Sequence, residues 1–498
     1  MSLANFYEDS EIFVTGGSGV VGKALIEKLL RSCNVRRIYV LLRPRRELSA
    51  EQRLVKLRQA TIFHLLHQQK PHELDKLVAV PGDVSLPGLG IDPAMTAQMS
   101  NVSLVYHCAA TVRFDEPLRV ALQLNVGGTF EALKFAETLA HLRVFVHVST
   151  FYSNPYLKCV EPKYYSSPMD WRLCLRLIDE VPDDGMLNAL TRKLIVGFPN
   201  TYTFTKNLAE SLVNDYRRRL PLIVYRPSIV LFALDDPSPG FAPSLMGAMG
   251  LFALVGAGIL KTVYLGKDTR LDITPQDIGI KSMLSYTKKG HEKYQKGPPK
   301  ELPVYMSSSC THVPHTFTQI AEQMDTLDLW KDAAFEKNLM VPGCHYTDRR
   351  WVYQFLVFTK QIVPALLIDL LLRLFGQRPQ LMGVVRKAYQ TLEVMQPFMF
   401  NNYVSPGVTA KDEISKENQG TEFHLGIFND PDINGLVVRA SGQMLHSIRG
   451  HLLREDPRTL RRSQLILTVK TIIYQGLRLF LLYKLIRWIG ASCLGQHF

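Results

Sequence analysis

Tyr202 and Lys206 stand four residues apart at the head of an apolar-periodic stretch, Tyr202-Thr203-Phe204-Thr205-Lys206, that continues through Leu208, Ala209, Leu212 and Val213. The period predicts a helix, and a helix puts both side chains on one face. An ammonium beside a phenol stabilises phenolate and draws its pKa, about 10 when unperturbed, toward neutrality, which suits proton donation to a carbonyl. Further candidate donors precede the pair: Ser149 and Thr150 close the apolar run Val144-Phe145-Val146-His147-Val148. The third part is an apolar run, Ile12-Phe13-Val14, that breaks into Thr15-Gly16-Gly17-Ser18-Gly19 and resumes with helical spacing at Val20-Val21-Gly22. Glycines there let backbone amides and a helix N-terminus approach a pyrophosphate, where side chains would block it. Phenol, ammonium, hydroxyl and phosphate cradle are the parts of a hydride-transfer site; each alone is common.

These residues need elements to hold them. The glycine stretch reads as strand, tight turn and helix, and its spacing fits two registers: Gly17, Gly19 and Gly22 for the general dinucleotide fingerprint, or Thr15-Gly16, Gly19 and Gly22 for the short-chain reductase form. Tyr202 with Lys206 selects the second. A second strand, Ile38 to Leu42, ends at Arg43 rather than at the acid that usually binds an NAD ribose, and Arg45 and Arg46 follow. As solvated surface arginines they would carry no meaning; at this position Arg43 and Arg46 favour a 2′-phosphate, hence NADPH. Leu77 to Val80 predicts a third strand, closed by Gly82-Asp83-Val84 where an adenine would lie. Leu104 to His107 predicts a fourth, running into Cys108-Ala109-Ala110, whose small residues permit close approach of a cofactor. Cys108 is either a nucleophile for a thioester or a small buried residue, and the second reading is preferred. His107 and His147 receive no role. Asn125-Val126-Gly127-Gly128-Thr129 falls on the next helix, and the fifth strand ends at the hydroxyl pair.

Size and charge fit this scheme. The chain has 498 residues, 46% of them hydrophobic, enough for a doubly wound domain and a second one. Seven scattered cysteines without a Cys-x-x-Cys pair argue against disulfides and structural zinc, and no metal ligand set is assigned. The N-terminus carries Glu8 and Asp9 and no apolar core before the first strand, so no secretory signal is expected and the catalytic part should face the cytosol. The net charge of +13 points to an anionic partner.

Thr-Gly-x-x-Gly-x-x-Gly, His-Cys-Ala-Ala-Thr-Val-Arg-Phe-Asp at 107 to 115, Asn-Val-Gly-Gly-Thr, Val-Ser-Thr and Tyr-x-Phe-Thr-Lys together resemble the extended short-chain reductases, and more narrowly the alcohol-forming fatty acyl-CoA reductases. The likeness runs through Tyr225-Arg226-Pro227-Ser228-Ile229-Val230 and covers nearly the whole chain. It implies a Rossmann-type doubly wound parallel sheet with a small all-α C-terminal domain. It further implies NADPH-dependent reduction of a long-chain acyl-CoA to a primary alcohol by way of the aldehyde, with release of CoA. By this resemblance Thr150 is the closer match to the catalytic hydroxyl, with Ser149 kept as the alternative. Asn125 supports the active-site helix or a proton relay, and Lys206 also holds the nicotinamide ribose. Asp83, Val84, Ala109, Ala110, Thr111, Pro227 and Ile229 border the cofactor. Where the family usually has Pro-Gly-Trp, this chain has Pro239-Gly240-Phe241, which leaves chain-length preference open.

The expected organisation is a catalytic domain over 8–285, a connecting region over 286–352, a helical domain over 353–455 and a basic, apolar membrane-associating segment over 460–494. Gly240 to Leu260, uncharged and glycine-rich, is read as the wall of an acyl channel, and Lys288 to Pro303 as exposed loop. Tyr353 to Phe375 is a dense apolar helical stretch broken by Pro364, and Thr409 to Thr421 a polar loop. Over 449–498 nine basic residues face two acids, a local excess of seven. That concentration, without any motif for reading DNA or stacking RNA bases, favours an anionic membrane surface over nucleic acid. Lys470, Arg478, Lys484 and Arg487 punctuate the last apolar segment, so an interfacial helix fits better than a plain span, with topology open. The endoplasmic reticulum and the peroxisome are the membranes considered, and oligomeric state is not encoded. A reductase of a steroid-like substrate, and a non-catalytic NADPH-binding membrane scaffold, are the rival readings.

Overall fold

The computed structural model describes residues 2–45, 47–270, 272–309, 316–405, 414–425 and 432–494. The apolar runs become strands of one seven-stranded sheet: β1 (Glu11–Thr15), β2 (Arg37–Leu42), β3 (Leu77–Pro81), β4 (Val102–His107), β5 (Val144–Val148), β6 (Leu222–Pro227) and β7 (Val304–Ser307). Their order is β7-β6-β5-β4-β1-β2-β3, and every neighbouring pair is parallel. Strands covered on both faces need continuous apolar runs rather than alternation, which is why Ile12 to Val14 and Val144 to Val146 are fully buried. The helices α1 (Val20–Ser32), α2 (Ala50–Arg58), α3 (Gly128–Glu137), α4 (Thr201–Tyr216) and α5 (Gln276–Gln295) cross between or pack on the strands. Phe13, Val105, Phe135, Phe145, Leu208, Leu212 and Val224 belong to the core on the α3 and α4 side. Because the order reverses between β1 and β4, the crevice outside their carboxyl ends is the topological switch point where such sheets bind ligands.

α5 corrects the sequence reading at its far end. Its last two turns occupy Lys288 to Gln295, expected as loop. Gly290, which argued for loop, lies over the sheet: a Cβ there would stand 2.5 Å from Ile223 Cγ2, so the glycine lets helix and β6 approach.

The chain forms two compact units that do not follow chain order. One comprises 1–243, 270–315 and 401–435, and the other 244–269, 316–400 and 436–498. Residues 244–269, expected within the catalytic domain, thus fall in the second unit. There the glycine-rich run forms only a nine-residue helix, Ala248–Gly256. Gly256 and Gly258, in the run read as channel wall, are sites of close packing. A Cβ at Gly256 would lie 2.4 Å from the Phe335 ring, and one at Gly258, whose φ is +72°, would lie 2.1 Å from the Met340 carbonyl oxygen.

The second unit is mostly helical, with one short parallel pair, Thr262–Tyr264 beside His345–Thr347. The stretch expected to break at Pro364 runs on: α6 (Arg350–Val357) passes through a π-helical turn, Phe358–Ile362, into α7 (Val363–Leu374). Pro364 directly follows the wide π-helical turn, closed by the Val363 amide on the Phe358 carbonyl, and the helix passes it without a break. Asp369 on α7 accepts hydrogen bonds from the amides of Gln380, Leu381 and Met382 and so caps α8 (Leu381–Met399). Of the expected loop over 409–421, residues 409–413 lie outside the described residues, and 414–417 are helical. The last element is the 35-residue helix α9 (Leu460–Leu494).

Candidate functional site

Thr15 ends β1, and its buried hydroxyl ties that end to the neighbouring strand. Its Oγ1 lies 2.9 Å from His107 Nδ1 and accepts from the Ala109 amide at 3.3 Å. The turn that follows has no room for side chains. Gly16 has φ +71°, and a Cβ there would stand 2.6 Å from the Ala109 nitrogen; one at Gly22 would stand 2.4 Å from the Gly16 carbonyl oxygen, and one at Gly17 2.5 Å from Val40 Cγ1. The Gly19 amide closes the turn on the Gly16 carbonyl at 2.9 Å. Gly19 is also the N-cap of α1 and offers no capping side chain, so the amides of the first turn, at Val20, Val21 and Gly22, stand ready for an anion. This cradle, which any Cβ would fill, fits a dinucleotide pyrophosphate.

Beyond the cradle the chain gathers guanidinium groups. Arg43, 55% exposed in its side chain, reaches Asp83 at 3.3 Å. Arg53, on α2, donates to the Arg43 carbonyl oxygen and, at 3.5 Å, to Ser18 Oγ. Burial first, and then the like charges of Arg43 and Arg45, hold the Arg53 pKa below its ordinary value. Three cations crowding one end of a phosphate cradle are poorly placed for each other and well placed for a dianion. Arg53 was not legible as a ligand from strand ends alone. The signal lay in Ser49 and Gln52, whose reciprocal hydrogen bonds form a capping box that fixes the start of α2 and sets Arg53 in its first turn. Arg46 lies outside the described residues. Asp83 Oδ1 accepts from the Ser85 amide and hydroxyl, so its carboxylate shapes the turn after β3 and orients Arg43. Val84 sits against Gly128, where a Cβ would come within 3.1 Å of it.

On the other side of the switch point, α4 carries the candidate acid and its neighbours. Asn200 caps the helix by accepting from the Thr203 amide at 2.9 Å, which sets Tyr202 in the first turn and Lys206 one turn on. Tyr202 lies near the Thr150 side chain, and the Phe114 ring stacks on it at 5.8 Å between centroids. Its pKa departs from expectation. Burial pushes the phenol up to about 12, the Thr150 hydroxyl draws it back only in part, and the Lys206 ammonium does not lower it. The reason is that Lys206 Nζ donates to the Val148 carbonyl oxygen at 2.6 Å, at the end of β5. Lys206 itself is buried, which brings its pKa down to about 8 against the opposing influence of Cys108 and Glu210. At neutral pH the pair is therefore a protonated phenol and an ammonium.

Ser149 and Thr150 part company. Ser149 Oγ donates to Glu210 Oε1 at 2.5 Å, and Glu210 forms a fully buried ion pair with Arg226 at 2.6 Å. Among the described residues the Thr150 hydroxyl has no carboxylate partner: it accepts from the Tyr152 amide at 3.3 Å and lies near enough to the phenol to ease its pKa. Asn125 lies in a π-helical turn, Gln123–Gly127, that precedes α3. Its Oδ1 accepts from the Thr111 amide at 2.9 Å and its Nδ2 donates to Thr205 Oγ1 at 2.9 Å, which joins the loop after β4 to α4. Ala110 lies within that loop. Pro227 ends β6, and Ile229 pairs with Ile273 in a two-residue parallel bridge.

His107 is held between Thr15 and Thr129 and pushed by burial down to about 3, hence neutral. Among the described residues neither ring nitrogen of His147 has a hydrogen-bond partner. Desolvation pushes the Cys108 thiol up to about 12, which opposes the nucleophile reading. The arrangement can bind a dinucleotide, hold a carbonyl oxygen between a phenol and a hydroxyl, and keep a cation beside both.

Residues 14–283 match the family NAD_binding_4, described as "Male sterility protein". The chain is 32% identical over 496 residues to "Fatty acyl-CoA reductase wat" of Drosophila melanogaster, covering 97% of this chain and 92% of that one. It is 31% identical over 410 residues to "Fatty acyl-CoA reductase 1" of Gallus gallus, covering 81% and 78%. Among solved structures, the terminal R domain from the myxalamid PKS-NRPS pathway shares the fold at TM-score 0.55 and 18% identity, over 89% of this chain and 90% of that one.

Proposed function

Because the chain belongs to the fatty acyl-CoA reductase family, we propose that this oxidoreductase converts a long-chain fatty acyl-CoA and two NADPH into a primary alcohol and free CoA, passing through the aldehyde. The observation that carries the reading is the placement of Tyr202 and the buried Lys206 on α4, with Lys206 bonded to the end of β5 beside Thr150, at the switch point that also holds the glycine cradle. Gly16 to Gly22 would hold the pyrophosphate, Arg43 and Arg53 the 2′-phosphate, and Lys206 the nicotinamide ribose, with Ala109, Ala110, Thr111, Pro227 and Ile229 along its course. When bound, NADPH supplies hydride to the carbonyl carbon.

The protein's own groups manage charge and protons. As negative charge builds on the substrate oxygen, Tyr202 gives it a proton and Thr150 a hydrogen bond, both fixed in advance by the sheet and α4. Tyr202, raised to about 12, is fully protonated at neutral pH and so always begins as the acid. Asn125 holds the Thr111 loop against α4. After the first reduction the thiohemiacetal expels CoA as the thiol, and the aldehyde is reduced at the same groups.

Attachment to the cytosolic surface of the endoplasmic reticulum or peroxisome, through α9, goes with this substrate, whose acyl chain partitions into lipid. Support comes from α9 itself: over Pro457–Arg487 it is long and apolar enough to cross a membrane and almost wholly exposed. The test is incubation of purified protein with NADPH or NADH and acyl-CoAs of graded length, following alcohol, aldehyde and free CoA. Absence of CoA release at every chain length would overturn the reading.

A further inference from the structure

The α6–α7 stretch, Arg350 to Leu374, is divided lengthwise. Tyr353, Val357, Gln361, Ala365 and Asp369 are buried, each four residues after the last. A regular α-helix would rotate such a row off the protein, because four residues overshoot its 3.6-residue turn. The π-helical turn at Phe358–Ile362 takes up part of the overshoot and keeps the inner row in place. That row is committed to protein contacts: the Gln361 side chain accepts from the Lys261 amide at 2.7 Å, and Asp369 caps α8. The opposite row is large, apolar and bare, with Trp351 (68% exposed), Phe355, Phe358, Leu366, Leu370 and Leu374 (73%) all exposed. With its neighbours Leu367, Leu371 and Phe375 it presents roughly 1,000 Å² of apolar surface, above the roughly 300–600 Å² of the largest patch on an ordinary soluble monomer.

Charge identifies what covers it. From 348 to 378 the charged residues are Asp348, Arg349, Arg350, Lys360, Arg373 and Arg378, all exposed, and Asp369, which is buried. A second copy of this chain docked face to face would set those five cations against their own equivalents with a single exposed acid, Asp348 at one end, to answer them. An anionic bilayer offers apolar depth to the bare row and phosphate to the cations. We propose that α6–α7 is a membrane-docking element that lies in the plane of an anionic lipid surface, as a second attachment besides α9. It does not span. Crossing would take Gln361 and Asp369 off their partners and into hydrocarbon, at a cost that the half-buried pose avoids.

The docking stands or falls apart from the acyl-CoA reading, because its assay reads lipid binding and not turnover. The full-length chain is mixed with vesicles of phosphatidylcholine alone or with phosphatidylserine, and compared with Phe355→Gln/Leu366→Gln/Leu370→Gln/Leu374→Gln, whose positions are all on the surface. Partition into the anionic vesicles should fall at least tenfold, with the melting curve and NADPH affinity retained. A fluorophore on Leu370→Cys, in a chain whose accessible cysteines, Cys159 foremost, are replaced by Ser, gives a measurement that needs no damaged face: lipids brominated near the headgroup should quench it most. Unchanged partition would overturn the proposal. So would strongest quenching by bromine at the acyl-chain ends, which marks a span, or a wild-type dimer that the substitutions dissociate without changing lipid binding.

Discussion

Arg53→Ala separates a cation that serves a ligand from one that serves the fold. In the apo protein Arg53 donates to the Arg43 carbonyl and to Ser18, and is repelled by Arg43 and Arg45. The substitution removes hydrogen bonds and a like-charge repulsion together, so the apo melting temperature should move little. With NADPH the balance changes, since a charge-assisted hydrogen bond to a phosphate contributes about 1.5–3 kcal/mol. Arg43 beside it is more than half exposed, and solvent screening favours the lower half of that range. A loss of about 1.5–2 kcal/mol is a 10- to 30-fold rise in Kd for NADPH. NADH, which lacks the 2′-phosphate, should bind within about twofold of its former affinity, and raising the salt concentration should narrow the difference between the cofactors. Titration of protein fluorescence with each cofactor gives both constants. Equal losses for NADH and NADPH would refute the reasoning, as would no loss for either.

Tyr202→Phe should lower turnover about 10²- to 10⁴-fold, the ordinary contribution of a general acid, with NADPH affinity retained; single-turnover kinetics and cofactor titration check the two halves. Thr150→Val and Ser149→Ala should separate the adjacent hydroxyls: the first loses turnover with little change in stability, while the second keeps turnover and lowers the melting temperature, because it leaves the Glu210–Arg226 pair short of a donor. Lys206 binds its proton with a pKa of about 8, well below an exposed lysine, so its ammonium is fully present below that value and lost above it. A pH–rate profile of kcat/KM for the free enzyme should therefore fall as pH rises through about 8. A flat profile to pH 9.5 would remove the Lys206 charge from the mechanism.

Strand positions were legible because a strand covered on both faces has to be a short unbroken apolar run, and few other segments of the chain are. Helix ends were less so. Lys288, Lys289 and Gly290 read as loop since glycine and clustered charge usually mark one, yet Gly290 is required by its distance to Ile223, a contact that no local pattern contains. Pro364 misled for a related reason. Its cost depends on the turn before it, and a π-helical turn at Phe358–Ile362 widens the helix just where the proline cannot donate, so the helix runs through. The joining of 244–269 to 316–400 in one unit has no local signature, because it depends on pairings such as Thr262–Tyr264 with His345–Thr347.

At the candidate site, spacing reported which side chains share an element, and what it missed was competition between partners. Four-residue separation brings Lys206 near Tyr202, but the ammonium goes to the Val148 carbonyl because a backbone oxygen at a strand end is fixed and otherwise unpaired in a ladder that stops there. The two hydroxyls at the end of β5 were equivalent in sequence, and only the Glu210–Arg226 pair, assembled from α4 and β6, makes them different. Glu210 lies one turn beyond Lys206 on the same face of α4, and its charge opposes the burial that lowers the lysine pKa. The ion pair that engages Ser149 is thus also part of what keeps the neighbouring cation charged, and both consequences follow from a glutamate that strand and motif patterns do not mark.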